Sequence, residues 1–81
     1  MKNRITGIRT YHMLPDSGEY GQSPEGNWYC CPPNTNLIAN ITAHTITEHD
    51  DKTITVSPSI LVQYKSEKWH GYLELGIWRE V

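Results

Sequence analysis

Phenylalanine is missing from these 81 residues, cysteine occurs only twice, and no stretch is continuously apolar for long. Each absence excludes something. A membrane-spanning helix needs roughly 20 consecutive apolar residues, and nothing here approaches that, so no membrane partner is expected. The opening MKNRITGIRT has no uninterrupted apolar segment, so secretion by a cleaved signal is not expected and the cytoplasm is the default location. Cys30 and Cys31 are neighbours, and adjacent cysteines rarely bridge each other without backbone strain. Two reduced thiols therefore fit better than a disulfide framework. An excess of positive charge is also lacking: seven Lys and Arg against nine Asp and Glu leave a net charge of −2. Nucleic-acid binders draw much of their affinity from neutralising phosphates with a basic stripe, so binding to duplex nucleic acid is not expected. The cations are scattered, apart from a loose group at Lys2, Arg4 and Arg9.

What is present favours sheet. Eight Ile, eight Thr, three Trp and five Tyr suit pleated, half-buried surfaces. A disordered chain would be poorer in these types and richer in net charge. The length fits a single β-rich domain over residues 1–81. So short a chain buries a modest core, which points to added stabilisation, and a homo-oligomer is the form expected here.

Along the chain, Ile5 to Met13 reads as a strand, because Thr6, Gly7 and Thr10 are weak helix formers. Residues 14–27 carry Pro15, Gly18, Gly21, Pro24 and Gly26 and read as one long loop. Trp28 to Cys31 is a short strand stopped by Pro32-Pro33. Leu37 to Thr47 alternates with period two, EHDDK at 48–52 reverses the chain, and Thr53 to Val56 resumes the alternation as the second arm of a hairpin. Ser57-Pro58-Ser59 interrupts the ladder, since proline donates no hydrogen bond. Ile60 to Tyr64 is then expected to be the most buried strand. After the polar KSEK turn, Trp69 to Glu74 and Ile77 to Val81 flank Leu75-Gly76, where glycine supplies a positive φ for a tight hairpin. A two-residue loop there would set Leu73 opposite Trp78. The fold class is all-β: a small antiparallel β-sandwich or open barrel of about five to seven strands built from hairpins.

Three chemistries compete for the remaining residues. Cys30, Cys31, His12, His44, His49 and His70 are zinc-type ligands, and zinc would support an undersized core. They lack the paired spacing of structural zinc sites, and adjacent strand residues point to opposite faces. No metal site and no cofactor are expected, with one thiol in the core and the other at the surface. For catalysis, His49 beside Asp50 and Asp51 could serve as a base, and either thiol with His70 could form a thiolate–imidazole pair. Neither comes with an oxyanion-hole, phosphate-loop or nucleophile-elbow signature, so the chain is read as non-enzymatic, with no catalytic residue. Binding fits the aromatic bias best. Trp and Tyr join an apolar face to a polar handle and suit interfaces and stacking pockets. Trp28, Tyr29, Trp69, Tyr72 and Trp78 all fall on expected hairpins, and at least half of them are needed for the core. The candidate ligand-binding residues are Trp28, Tyr29, Trp69, His70, Tyr72 and Arg79, with Arg4, Arg9, Lys65 and Lys68 as further cations for phosphates.

Three local patterns bear a resemblance: Trp28-Tyr29-Cys30-Cys31-Pro32, the run from Thr53 to Val62 containing Ser57-Pro58-Ser59-Ile60, and Trp69-His70-Gly71-Tyr72-Leu73 followed by Gly76. Together, over roughly residues 28–80, they resemble a family of short, uncharacterised phage and prophage proteins with an S-P-S-I core and a C-terminal W-H-G-Y hairpin. Relatives carry C-P-x-C-type spacing near the first strand, whereas the thiols here are adjacent, which sets any shared metal site apart from this chain. The resemblance implies a viral accessory protein acting in the host cytosol, with no activity to carry over. The expected function is binding of a small, nucleotide-like host signal at a subunit interface. The alternatives are a protein-binding inhibitor of a host defence enzyme, for which the partner is a host protein, and a zinc-stabilised structural domain.

Overall fold

The computed structural model describes residues 4–11 and 14–81, which hold nine strands and no helix. The strands are β1 (Arg4–Thr6), β2 (Ile8–Arg9), β3 (Glu19–Gln22), β4 (Trp28–Cys30), β5 (Ala39–Asn40), β6 (Thr45–Glu48), β7 (Ile54–Tyr64), β8 (Glu67–Glu74) and β9 (Ile77–Glu80). They form a five-stranded antiparallel sheet ordered β1-β9-β8-β7-β6 and a four-stranded mixed sheet ordered β2-β3-β4-β5. In the smaller sheet only β2 and β3 run parallel. The architecture is all-β and sandwich-like, as expected, but built from more strands.

Alternation decides the core. The larger sheet turns Ile54, Val56 and Ile60 of β7, Trp69 and Leu73 of β8, and Trp78 of β9 inward; the smaller sheet contributes Tyr20, Trp28 and Cys30. Leu37 and Ile41, from the connections around β5, complete the cluster. The rings of Trp69 and Trp78 meet edge-to-face, 5.4 Å apart at 89°, a geometry their quadrupoles favour. The indole N–H of Trp78 donates to the Gly18 carbonyl at 2.9 Å, so the polar atom of this buried ring is satisfied. Leu73 does lie opposite Trp78, and the β8–β9 hairpin turns at Leu75 and Gly76 with φ of 51° and 75°.

Several expectations are corrected. The stretch read as a loop over 14–27 contains β3, whose Tyr20 is among the most buried side chains. β3 pairs with β4 while the backbone near Thr10 passes over it, and Gly21 makes room for that passage; a Cβ there would lie 2.6 Å from the Thr10 carbonyl oxygen. The single strand expected from Ile5 is two, β1 in one sheet and β2 in the other, and Met13 lies outside the described residues. The chain crosses between sheets at Gly7, whose N–H donates to the Gly76 carbonyl at 2.7 Å. Leu37 to Thr47 is not one strand, because a turn after Ile41 separates β5 from β6. Ser57-Pro58-Ser59 does interrupt the ladder, with the β6 pairing stopping at Ser57, the Ser57–Pro58 peptide cis and the register to β8 shifting between Val56 and Ile60, but β7 itself runs on through these residues as one strand. Nor is Ile60–Tyr64 the most buried strand. Ile60 is inside, but Leu61 points out and is 62% exposed, since the outer side of this sheet faces solvent.

Arg9 fastens the two sheets together. From β2 its Nη1 meets Glu48 Oε2 at the end of β6 at 2.6 Å and donates to the Lys52 carbonyl at 3.2 Å, while its guanidinium carbon lies 5.0 Å from the Trp28 ring centroid. The Arg9 guanidinium beside Glu48 lowers the pKa of that carboxyl.

Candidate ligand-binding site

The six candidate residues divide three ways. Trp28 and Trp69 are 8% and 3% exposed and belong to the core cluster, so their rings are spent on packing. Tyr29 stands on the smaller sheet, beside a hollow of about 390 Å³ with Tyr11, Leu14, Gln22, Ser23, Pro24 and Glu25. His70, Tyr72 and Arg79 come together on the solvent side of the larger sheet. Parity along β8 accounts for this: Trp69 and Leu73 share one face, His70 and Tyr72 the other.

Register extends that outer face across neighbouring strands. Leu61 sits opposite His70; Tyr72 sits opposite Arg79, which in turn sits opposite Arg4; Glu74 sits opposite Ile77, which sits opposite Thr6. The middle row carries the charge. The Arg79 guanidinium carbon lies 4.4 Å from the centroid of the Tyr72 ring and its Nη2 is 3.5 Å from Glu74 Oε1. Tyr72 thus orients the guanidinium while leaving most of its N–H donors free. Arg4 forms no ion pair among the described residues. Between the two arginines lies an open hollow of about 160 Å³, bounded by Arg4, Glu74, Leu75, Ile77 and Arg79. Like charges placed directly opposite each other on a sheet are destabilising, and a single carboxylate faces this pair.

The larger hollow at Tyr29 has a different character. Among the described residues Glu25 is the one charged side chain that bounds it, and its polar groups serve their own turn: Gln22 Nε2 donates to the Gly26 carbonyl at 3.2 Å and Ser23 Oγ accepts from the Asn27 N–H at 3.2 Å. Among the described residues that bound it there is no cation for an anion to meet.

One hydroxyl–imidazole pair adjoins the basic row: Ser59 Oγ is 3.1 Å from His70 Nε2, and His44 Nε2 lies 3.3 Å from the Ser59 carbonyl oxygen. A base that activates a nucleophile is normally oriented by a third group, and no carboxylate is bonded to His70 among the described residues. At the hairpin tip, Asp51 is engaged by the N–H and hydroxyl of Thr53 at 3.1 and 2.6 Å, which lowers its pKa, and His49 Nε2 meets Thr55 Oγ1 at 2.7 Å. These interactions close a turn.

The cysteines depart from the expectation of one inside and one outside: both are buried, at 0% and 2% exposed. Cys31 does leave the strand's inner face, but the 32–36 turn folds over it and its Sγ lies 3.5 Å from the Thr35 carbonyl. Burial pushes the Cys30 thiol up to about 12 and raises Cys31 as well. Among the described residues no group of three or more His, Cys, Asp or Glu side chains could hold a metal ion; His12 lies outside them.

By sequence alone Arg4 is one of several scattered cations. Its place opposite Arg79 depends on β1 pairing with β9 across almost the whole chain, which no local pattern encodes. A signal did exist for the tryptophans: Trp69 shares parity with Leu73, whose pairing with Trp78 marks the core side. Compared with family models, curated proteins and solved structures, the chain matches none.

Proposed function

We propose that this chain is a non-enzymatic accessory binding protein that takes a small phosphate-bearing, nucleotide-like ligand on the outer face of its five-stranded sheet. The observation that carries the reading is the cross-strand pair Arg4–Arg79, set over a hollow with one carboxylate and braced by Tyr72. Two arginines opposite each other on neighbouring strands, both bordering one hollow, can offer phosphate oxygens the planar, bidentate donor geometry they accept. A phosphate seated between the arginines also relieves their mutual repulsion, so the anion is favoured twice. Leu75 and Ile77 give the hollow an apolar edge for a base or sugar. The resemblance to phage proteins supports an accessory role in an infected host cell.

Isothermal titration with a panel of mono- and dinucleotides tests this. Heat is expected for phosphorylated members and none for the nucleosides. Arg4→Ala, a change at an exposed position, should weaken binding by about 10- to 100-fold, the effect of one charged hydrogen-bonding group. Silence from every phosphorylated member would overturn the proposal.

A further inference from the structure

We infer that the site is half of a clamp: a second copy of this chain closes over the same ligand, so ligand binding and dimerisation are one event. The inference rests on the binding reading above and deepens it.

Size is the first argument. Pockets for small ligands enclose roughly 300–1,000 Å³ and bury most of the ligand's surface. The hollow between Arg4 and Arg79 offers about 160 Å³ and lies open on a sheet face. One copy can cover one side of a nucleotide-sized molecule. Two hollows face to face reach the lower end of the usual range, and a two-fold axis through the ligand would present the same surface from both sides.

Charge is the second. The middle row of this face, Tyr72, Arg79 and Arg4, is basic, and Glu74 offsets only Arg79. Empty faces brought together would oppose two pairs of guanidiniums, which repel. An anion with phosphates on both sides of the axis reverses the sign of that interaction. Association without ligand is therefore disfavoured, and association with it is favoured.

The rim is the third. Leu75, 62% exposed at the β8–β9 turn, and Ile77 beside it border the hollow, and Leu61 lies on the same face further along. Exposed apolar side chains around a charged centre provide area that a partner copy buries and so exclude water from the arginine–phosphate contacts. The ligand class that fits is a two-fold symmetric or near-symmetric molecule with at least two phosphates, such as a dinucleotide.

Sedimentation velocity and native mass spectrometry, with a cyclic dinucleotide and with a mononucleotide as probes, decide the matter. The expected result is monomer alone, and a dimer holding one dinucleotide per two chains when that probe is added. The mononucleotide should give at least tenfold less dimer at the same concentration. Leu61→Glu, on the same face but outside the lining of the hollow, should cut dimer formation at least tenfold while leaving both arginines and the hollow as they are. A dinucleotide bound one per chain at monomer mass would overturn the clamp and leave the binding reading intact. No binding of either probe would remove both, and a dimer that forms equally without ligand would overturn the coupling.

Discussion

Gly71 offers a quantitative test of the packing behind the site. It lies between His70 and Tyr72 on β8, but faces the core side, opposite Ile60 on one flank and Glu80 on the other. A Cβ built there would fall 2.5 Å from the Arg79 carbonyl oxygen, 2.5 Å from Cη2 of Trp69 and 2.9 Å from Cα of Glu80. Comfortable separations between heavy atoms lie near 3.5–4.0 Å, so about 1 Å of movement is demanded on two sides. Trp69 cannot supply it, being buried edge-on against Trp78. The β9 backbone cannot supply it either without loosening its ladder to β8. Overfilling a packed interior costs roughly 1–3 kcal/mol, and two unyielding neighbours put this case near the top of that range. Against this, replacing a strand glycine by alanine recovers about 0.5–1 kcal/mol of chain entropy. The sterics win, with a net loss of about 2 kcal/mol. A domain of this size has a total stability of roughly 4–12 kcal/mol, so the loss is a large fraction. At about 4–8 °C per kcal/mol, Gly71→Ala should melt about 8–16 °C below the parent. Thermal unfolding followed by tryptophan fluorescence reads this directly, since Trp69 and Trp78 sit at the strained place. A melting point within about 2 °C of the parent would refute the close approach of Trp69 and β9 over Gly71.

Three further outcomes are expected. Leu75 holds φ at 51° beside Gly76, a left-handed position that asparagine tolerates far better; Leu75→Asn should stabilise the hairpin by about 1 kcal/mol, visible as a higher denaturant midpoint. Cys30 and Cys31 are buried with raised pKa values, so in native protein they should react with a disulfide reagent only as fast as the chain opens, and fully once denaturant is added; an immediate reaction of either thiol in native buffer would count against their burial. The Cys30 thiol titrates near 12 in the fold against 9.0 when free, so its neutral form is favoured by folding; the stability it contributes is whole below pH 9.0 and drains away as pH rises toward 12. Urea midpoints measured between about pH 8 and pH 11 should fall, and fall less steeply in Cys30→Ala, the variant that isolates this thiol.

What could be read beforehand followed local chemistry. Turn residues located the reversals around 48–52 and at Leu75-Gly76, and period-two alternation gave the sheet-rich class and the opposition of Leu73 and Trp78. What escaped depended on partners distant in sequence. Glycine and proline hid β3 inside an apparent loop, although Gly21 is there to admit the backbone at Thr10 and Tyr20 is there to fill the core. Dense apolar content at Ile60-Leu61-Val62 suggested a fully buried strand, yet the sheet covers only one of its faces, so Leu61 is left in solvent. The candidate site divides the same way: His70, Tyr72 and Arg79 are legible as polar and aromatic residues on one hairpin, whereas the place of Arg4 opposite Arg79 requires knowing which strand lies beyond β9.

The first strand and the last lie side by side, and between them stand both arginines. During synthesis, therefore, residues 4–6 wait without a hydrogen-bonding neighbour while more than sixty others are added. Loop closure over so long a separation is slow, and its stabilisation comes only at the end. The hairpins of β6 to β9 can assemble first from near neighbours, and β1 then docks onto a finished edge, carrying β2 across at Gly7 and with it the Arg9 fastening. Arg4 and Arg79 come to face each other only with that final docking, so on the binding reading proposed above a chain whose first strand has not yet closed would be largely folded and would lack half of the proposed anion site.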